Sequence, residues 1–155
     1  MRCWIILVCI GENMAEFTGK CLCGQVSYKS HVKPTLILNC HCEDCRRSTG
    51  AVYSTNVFVE DDKVEIIGTT SKYSHIAKSG NMMTKHFCEN CGSLMFGYSS
   101  GRNNIVSIRA GTIDQIEVIE PKMNVFTDSK VISTPIDRNL AIAGGMPTGT
   151  PWKND

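Results

Sequence analysis

Three closely spaced cysteine groups constrain this chain more than any other feature of its sequence. Cys21 and Cys23 form one pair, Cys88 and Cys91 form another, and three thiols lie between them in the stretch 40–45 (Cys-His-Cys-Glu-Asp-Cys). An odd total of 9 cysteines, most of them in tight groups, argues against a secreted disulfide framework, in which pairs are spread through the loops. Reduced thiols at this spacing are good metal ligands, so we expect metal binding and a reducing compartment, the cytosol or the nucleus.

Composition and charge narrow the classes of partner. The 155 residues carry 16 basic and 15 acidic side chains, and a net charge of +1 gives no electrostatic reason to expect nucleic acid or an acidic membrane. Hydrophobic residues make up 42% and charged residues 20%, which is typical of a soluble globular protein. A chain of this length fits one domain, and its expected partners are small molecules or proteins.

The two ends of the chain differ from its centre. Residues 1–13 hold a basic residue and an apolar run that is too short to cross a bilayer as a helix. We interpret them as an appendage or a mis-annotated start, with a short targeting or anchoring segment as the alternative. Residues 14–128 form the predicted domain, and residues 129–155, which include the turn-forming stretch 144–151, are predicted to be an irregular C-terminal tail.

Between these ends, the local patterns favour β structure. Short segments rich in β-branched and aromatic residues are separated by glycine and polar residues, and no long stretch has the apolar period of a helix. The sequence therefore predicts a mainly β protein, with one short helix around residues 43–48. The predicted strands are 24–29, 35–38, 52–59, 64–67, 72–76, 83–87, 94–98 and 105–108, with 123–126 as a weaker candidate.

The two outer cysteine pairs have the arrangement of a structural zinc site, in which two short sequence segments each supply two thiolates. We call these segments, 21–24 and 88–92, the two hooks. Glycine follows each pair, at Gly24 and Gly92, and can take the positive φ that folds the backbone back so that amide hydrogens point at the sulfurs. Metal binding would then contribute folding energy by tying an early hairpin to a late one. The alternatives are buried structural thiols or an accidental disulfide. We predict one zinc ion in this four-thiol site, bound by Cys21, Cys23, Cys88 and Cys91.

The middle group forms a three-thiol site, made of Cys40, Cys42 and Cys45. Three protein ligands leave a fourth coordination position open, which is the arrangement of a reactive zinc site. Zinc with three thiolates carries one net negative charge, so it is a weak Lewis acid and suits thiol binding better than water activation. We therefore predict a second zinc ion, two per chain in all, with these three cysteines as the ligands of a catalytic site.

Several neighbours of the three-thiol site are candidates for further roles. Arg46 and Arg47 are predicted to bind substrate, because guanidinium groups there can offset the charge of the site or hold a substrate carboxylate. His41 is the rival fourth ligand, although a side chain between two cysteines of a Cys-x-Cys stretch is expected to point away from the metal. A distant residue or a partner protein could also close the site. The remaining histidines are expected to be packed or exposed rather than catalytic: His31, His75 and His86.

The order of these motifs resembles one known family. Cys-x-Cys-Gly at 21–24 is followed by Cys-His-Cys-x-x-Cys-Arg and a small polar run into glycine at 40–51, then by Phe-Cys-Glu-Asn-Cys-Gly-Ser at 87–93 and Ala-Gly-Thr-Ile-Asp at 110–114. Over about residues 17–126 the pattern is similar to the glutathione-dependent formaldehyde-activating (GFA) family. The resemblance implies the Mss4-like, or β-tent, fold, in which small antiparallel sheets are clamped by zinc.

The resemblance also implies a function. It assigns a structural zinc to the outer four cysteines and a substrate-facing zinc to the middle three, the same division that ligand counting gives. It implies a carbon-sulfur lyase that adds a glutathione-like thiol to an aldehyde such as formaldehyde, giving S-hydroxymethylglutathione. As the net charge indicates, no nucleic-acid or membrane partner is expected. The chain departs from the family pattern at 124–126 (Asn-Val-Phe), where members often have a histidine and an aromatic residue, and again after Ser129. These departures bear on the identity of the substrate.

Two functions of other classes are compatible with the same cysteines. A non-catalytic, zinc-stabilised protein-interaction module of the same fold would have a closed second site, and fold alone does not assign activity. A zinc-ribbon nucleic-acid binder would need a basic stripe that this sequence lacks.

Overall fold

Strands dominate the chain. The structure, a computed structural model, describes residues 15–149, and in this range eleven strands accompany one α-helix, α1 (Glu43–Thr49). The mainly β prediction, with a short helix after the central cysteines, is therefore confirmed. The predictions for residues 1–13 lie outside the described residues. The strands are β1 (Phe17–Lys20), β2 (Ser27–Ser30), β3 (Leu36–Cys40), β4 (Ser54–Glu60), β5 (Val64–Ile67), β6 (Thr70–Ile76), β7 (Met82–Cys88), β8 (Leu94–Ser99), β9 (Ile105–Arg109), β10 (Met123–Val125) and β11 (Ala141–Ile142).

These strands form a small and a large sheet. The small sheet has the order β1-β2-β5 and is antiparallel. The large sheet has the order β11-β10-β3-β4-β9-β8-β7-β6, and it is antiparallel except that β10 pairs in parallel with both β3 and β11. Strand β11 lies in the segment 129–155, so part of the predicted tail is paired into this sheet. The domain boundaries at 14 and 128 stay predictions.

The main core lies between the small sheet and one face of the large sheet. Tyr28 of β2 and Phe96 of β8 are buried there with their ring centres 5.4 Å apart in an edge-to-face contact. Val57 and Ile108, which lie opposite each other on β4 and β9, are fully buried in the same core. Each large apolar side chain of this kind contributes roughly 1.5–3 kcal/mol on burial.

The other face of the large sheet carries a second, smaller apolar cluster. Side chains alternate along a strand, so Leu38 and Phe58 point away from the core that their neighbours Ile37 and Val57 join. Cys40 and Val125 complete this cluster, which also contacts Cys42 and Cys45. The three-thiol site therefore lies on the face of the large sheet that is turned away from the small sheet. Across residues 15–149, no helix is long and apolar enough to span a bilayer.

Candidate metal centres

The four-thiol site brings together two hooks that are far apart in sequence. Cys21 and Cys23 lie in the loop between β1 and β2, Cys88 ends β7, and Cys91 lies in the turn to β8. Their four Sγ atoms lie within 4.8 Å of one another, with 3.5 Å between Cys21 and Cys23 and 3.7 Å between Cys23 and Cys88. Tetrahedral zinc with Zn–S bonds of about 2.3 Å requires sulfurs about 3.8 Å apart. The spacing and the chemistry of these donors fit zinc.

Glycine shapes each hook, as the sequence predicts. Gly24 has φ +80° and Gly92 has φ +71°, conformations that other L-residues rarely adopt. The Gly24 N–H donates to the carbonyl of Cys21 at 3.1 Å, and the Gly92 N–H donates to the carbonyl of Cys88 at 2.8 Å. The turn that follows Gly24 aims the Val26 N–H at Cys21 Sγ, 3.3 Å away.

Hydrogen bonds favour the thiolate form of Cys91 and Cys21 in this site, whereas at Cys88 a backbone hydrogen bond with Cys91 is outweighed by burial and the neighbouring thiols, which raise the pKa of Cys88 to about 11. A hydrogen bond with the Ser93 hydroxyl, 3.2 Å from Cys91 Sγ, is the main contribution that lowers the pKa of Cys91 to about 5. Burial opposes the ionisation of Cys21, but contacts with the Val26 N–H and with neighbouring sulfurs outweigh it and lower the pKa of Cys21. Thiolates are the form that binds metal, so the local structure prepares the site for a cation.

The three-thiol site is built where β3 runs into α1. Cys40 is the last residue of β3, Cys42 is the N-cap of α1, and Cys45 lies in the first turn of the helix. Cys42 Sγ accepts a hydrogen bond from the Cys45 N–H at 3.4 Å, which replaces the usual hydroxyl or carboxylate cap. The three Sγ atoms lie within 4.8 Å of one another. Three sulfur donors at this separation fit zinc and leave one of its four positions to another ligand.

Neighbouring thiols, Asn56 and Arg109 stabilise negative charge on Cys45. Hydrogen bonds with the Cys40 and Cys42 thiols are the main contributions that lower the pKa of Cys45, and the positive charge of Arg109 acts in the same direction. Asn56 Nδ2 donates to Cys45 Sγ at 3.9 Å, while Arg109 Nη1 donates to Asn56 Oδ1 at 2.7 Å. The same thiol contacts, followed by burial, raise the pKa of Cys40. Negative charge within the cluster is therefore favoured at Cys45.

A cavity of about 410 Å³ opens beside the three-thiol site. All three of its cysteines line this cavity, whereas none of the four-thiol cysteines does. Leu38, Phe58 and Val125 supply an apolar surface within it. Such a space accommodates small molecules, so the two sites differ: the four-thiol site has a complete set of sulfurs, and the three-thiol site faces a cavity.

His41 lies apart from the sulfurs of the three-thiol site. Its side chain is buried, its Nε2 lies 3.5 Å from Asn124 Oδ1, and its ring centre lies 4.9 Å from that of Tyr53. The ring is not part of the group of atoms that includes the three sulfurs. This position agrees with the expectation that its side chain points away from a metal.

The remaining candidate residues are spread around the site. Arg47 Nε donates to Glu43 Oε1 at 2.8 Å along the surface of α1. Neither Arg47 nor Arg46 is among the residues that line the cavity. His75 does line it, with Nε2 3.3 Å from Asp44 Oδ2. The other two histidines contact Thr70 and Glu65: His86 Nδ1 at 3.0 Å and His31 Nε2 at 3.8 Å, respectively.

Among the polar residues that line the cavity, four that the sequence did not predict are Asn56, Lys85, Arg102 and Arg109. The sequence pattern could have indicated Arg109, because Ser107 and Arg109 alternate with the apolar residues Val106 and Ile108 along β9. Polar residues at alternate positions of a strand that is otherwise apolar indicate a polar face. The partner of Arg109 could not be found in this way, because its register opposite Asn56 depends on the pairing of β9 with β4.

The segment 124–126, where the chain departs from the family pattern, contributes in two different ways. Asn124 is buried and accepts a hydrogen bond from Asn39 Nδ2 at 3.2 Å, so its side chain supports the strands rather than the cavity. Phe126 lines the cavity and has φ +55° and ψ +38°, the left-handed region that is rare for a bulky residue. Backbone strain of this kind is concentrated at ligand sites.

Comparisons with known proteins agree with these features. A family model described as "Glutathione-dependent formaldehyde-activating enzyme" matches residues 16–129. A relative from Schizosaccharomyces pombe, named an uncharacterised lyase, is 30% identical over 118 residues, which cover 76% of this chain and 82% of the relative. A crystal structure of a Rhodobacter sphaeroides protein matches with a TM-score of 0.50 and 16% identity, over 67% of this chain and 96% of that chain, and shows a shared fold.

Proposed function

This chain belongs to the glutathione-dependent formaldehyde-activating enzyme family, and from that membership we propose that it is a carbon-sulfur lyase that adds a small, glutathione-like thiol to an aldehyde such as formaldehyde. The lyase named among its relatives supports the enzyme class. The observation that carries the proposal is the contrast between the two clusters: all three cysteines of the three-thiol site line one cavity, whereas Cys91 is the single four-thiol cysteine that lines a second, more open pocket among the described residues. We assign the structural zinc to the four-thiol site and the substrate-facing zinc to Cys40, Cys42 and Cys45.

The chemistry requires little beyond positioning and charge stabilisation. A zinc ion held by the three sulfurs would supply Lewis acidity and one open coordination position. In the reaction, a carbon-sulfur bond forms as the carbonyl π bond breaks, and the thiol proton ends on the new hydroxyl oxygen, so no oxidant or reductant is needed. The cavity holds both reactants together, which offsets part of the entropy cost of a bimolecular step. Asn56 and Arg109 stabilise negative charge beside Cys45.

Two further assignments accompany this proposal. The substrate-binding role of Arg46 and Arg47 stays a prediction, with both residues placed on α1 beside the cavity rather than in its lining. The thiols of both sites must stay reduced to bind zinc, so we infer a reducing compartment, the cytosol or the nucleus.

The alternative function, a non-catalytic interaction module of the same fold, requires a closed second site. The three-thiol cluster contains no histidine and no carboxylate within its group of ligand atoms, as far as the described residues go. The cavity beside it favours an enzyme over a scaffold.

The test combines ligand binding with catalysis. In protein loaded with cobalt in place of zinc, saturating glutathione should change the visible absorption of one of the two metal ions. Exchange spectroscopy by NMR should show faster interconversion of formaldehyde and glutathione with their adduct. The matched variant is Cys42→Ser, because serine is a good N-cap and keeps α1 intact while it removes one sulfur ligand. This variant should retain one metal ion and lose the acceleration. An unchanged cobalt spectrum with glutathione would remove the central step of the proposal.

A further inference from the structure

One end of the cavity beside the three-thiol site is apolar. We call the residues that line it there the apolar end: Leu38, Val125, Phe126, Met146 and Pro147. Leu38 on β3 and Val125 on β10 form one buried cluster with Cys40, and the other two cysteines of the three-thiol site pack against this cluster. The apolar end therefore begins directly at the three-thiol site.

Backbone hydrogen bonds hold the C-terminal part of the apolar end next to β10. The Phe126 N–H donates to the Gly145 carbonyl, and the Thr127 N–H donates to the Ala143 carbonyl, both at 3.2 Å. These bonds bring Met146 to the cavity, although it is distant from the cysteines in sequence. The two places where the sequence departs from the family pattern, 124–126 and the part after Ser129, thus meet at this end of the cavity.

The order of strands separates the apolar end from much of the polar lining. In the large sheet, β10 and β3 lie on one side of β4, while β9, β8 and β7 lie on the other. Lys85 on β7, together with Ser107 and Arg109 on β9, lines the cavity from that second side. A reactant bound at the three-thiol site therefore meets polar side chains towards β9 and apolar ones towards β10.

Part of the apolar end is open to a ligand. Met146 is 50% exposed, and Phe126 and Pro147 are half-buried, although all three line the cavity. Covering apolar surface lowers the free energy roughly in proportion to the area removed from water. An aldehyde without a carbon chain covers almost none of this surface, and a glutathione-like thiol is rich in polar groups, which suit the other side of the cavity. The apolar end therefore remains for the substituent of the aldehyde.

We propose that the apolar end binds the hydrocarbon chain of the aldehyde, so that the site prefers aldehydes with a chain of several carbons over shorter ones. The inference rests on the proposed function, because it names the class of aldehyde that reacts in the same site. The carbon-sulfur bond forms at the carbonyl carbon, the carbonyl π bond breaks, and the thiol proton ends on the new hydroxyl oxygen. The hydrocarbon chain stays on that carbon, the product is a hemithioacetal, and no oxidant or reductant is needed.

The first test varies only the length of the aldehyde. Zinc-loaded full-length protein is assayed with glutathione and with propanal, butanal, pentanal or hexanal. Each kcat/KM is divided by the uncatalysed rate constant for the same aldehyde, which removes differences in intrinsic reactivity. This ratio should rise about fourfold per methylene from propanal to pentanal, the gain expected when one methylene group leaves water. A constant or falling ratio would overturn the inference and leave the proposed function intact.

A second series shows which reactant occupies the apolar end. Ethanethiol, propanethiol and butanethiol replace glutathione, and formaldehyde is the aldehyde throughout. The ratio of catalysed to uncatalysed rate should stay nearly constant along this series, because the thiol chain points towards the polar side of the cavity. A gain of about fourfold per methylene with the thiols, and none with the aldehydes, would assign the apolar end to the thiol and overturn the inference.

Matched methionine variants assign the residues. Met146→Gln makes the side chain polar at nearly constant size, and it should reduce the preference for pentanal over propanal by about fourfold. Met82→Gln is the control, because Met82 is 44% exposed on β7 and is not among the residues that line the cavity; it should change nothing. Phe126→Asn removes the ring at a left-handed position that asparagine tolerates, and it should reduce the same preference. An unchanged preference in both Met146→Gln and Phe126→Asn would overturn the inference.

Binding without reaction separates the inference from the proposed function. Full-length protein with isotope-labelled methionine methyl groups is titrated with propan-1-ol and pentan-1-ol, which carry the chain but no carbonyl group, and is followed by NMR. The Met146 methyl signal should shift and the Met82 signal should not, and pentan-1-ol should bind about fifteenfold more tightly than propan-1-ol. If the alcohols bind in this way but glutathione leaves the cobalt spectrum unchanged, the site for an apolar chain stands and the proposed function fails. No shift of the Met146 signal with pentan-1-ol would overturn the inference.

Discussion

At the scale of single residues, the hydroxyl of Ser93 supports two parts of the four-thiol site at once. It lies 3.2 Å from Cys91 Sγ and accepts a hydrogen bond from the Leu22 N–H at 3.1 Å. One side chain therefore contacts both hooks, although it is not itself a metal ligand.

Ser93→Ala is predicted to weaken zinc binding at the four-thiol site by about tenfold, since residues that support metal ligands typically contribute this much affinity. The measurement is a competition titration against a chromogenic chelator. Ser93→Thr keeps the hydroxyl and should stay close to the unaltered protein. Equal affinities for all three proteins would show that this hydroxyl does not stabilise the thiolate.

The absence of a side chain at Gly97 is the second residue-scale feature that the site requires. Because a Cβ there would crowd Ser107 Oγ and Arg109 Nη2, Gly97→Ala should displace the Arg109 side chain and destabilise the fold by about 1 kcal/mol, the lower end for overpacking. Urea denaturation measures the change. Gly111→Ala is the matched control, because a Cβ at Gly111 would meet no atom within 4 Å. A Gly97→Ala protein as stable as the control would contradict this account.

At the scale of structural elements, the glycine turn in each hook sets where the sulfurs lie. Gly92 has φ +71°, and a Cβ there would contact nothing, so the cost of a side chain comes from the backbone alone. Gly92→Ala should destabilise the zinc-loaded protein by about 1 kcal/mol. Gly92→Asn should recover part of the loss, because asparagine tolerates the left-handed region. Thermal unfolding in the presence of zinc orders the three proteins, and an alanine variant as stable as glycine would contradict the argument.

The elements also show which parts of the structure the sequence could predict. The strands around residues 55–59, 64–67 and 105–108 are rich in β-branched residues, and the structure has strands at each of these places. Local pattern could not predict that β10 would pair in parallel with β3, or that residues 141–142 would extend the same sheet, because both depend on contacts distant in sequence.

The two cysteine clusters and the lining of the cavity were predictable to different degrees for the same reason. Ligand spacing is local, so the four-thiol and three-thiol groups could be separated from sequence alone. Lys85, Arg102 and Arg109 line the cavity from β7, the turn between β8 and β9, and β9, and only the register of these strands brings Lys85 near Arg109. Arg46 and Arg47 were predicted to bind substrate because they follow Cys45 directly in the sequence. The cationic residues that do line the cavity are distant from Cys45 in the sequence.

At the scale of the whole molecule, the four-thiol site joins the two sheets. Cys21 and Cys23 follow β1 of the small sheet, while Cys88 ends β7 of the large sheet. A zinc ion there would act as a cross-link between sheets that otherwise contact each other mainly through the apolar core. The three-thiol site has no such role, because its cysteines lie close together in sequence at the junction of β3 and α1.

The two sites should therefore differ in their effect on stability. Cys23→Ser, or removal of all zinc by a strong chelator, should lower the midpoint of thermal unfolding by more than about 10 °C. Cys42→Ser should lower it by only a few degrees, because the N-cap is kept and the sheets stay joined. Differential scanning calorimetry makes the comparison. A larger loss for Cys42→Ser than for Cys23→Ser would reverse the assignment of the structural site.

The central claim is that the chain holds two zinc ions, one in a complete four-sulfur site and one in a three-sulfur site that faces the cavity. Native mass spectrometry of reduced, freshly purified protein measures this most directly, with Cys40→Ser as the variant. The unaltered protein should carry two zinc ions per chain and Cys40→Ser should carry one. A single zinc in the unaltered protein, or two in the Cys40→Ser protein, would contradict the account.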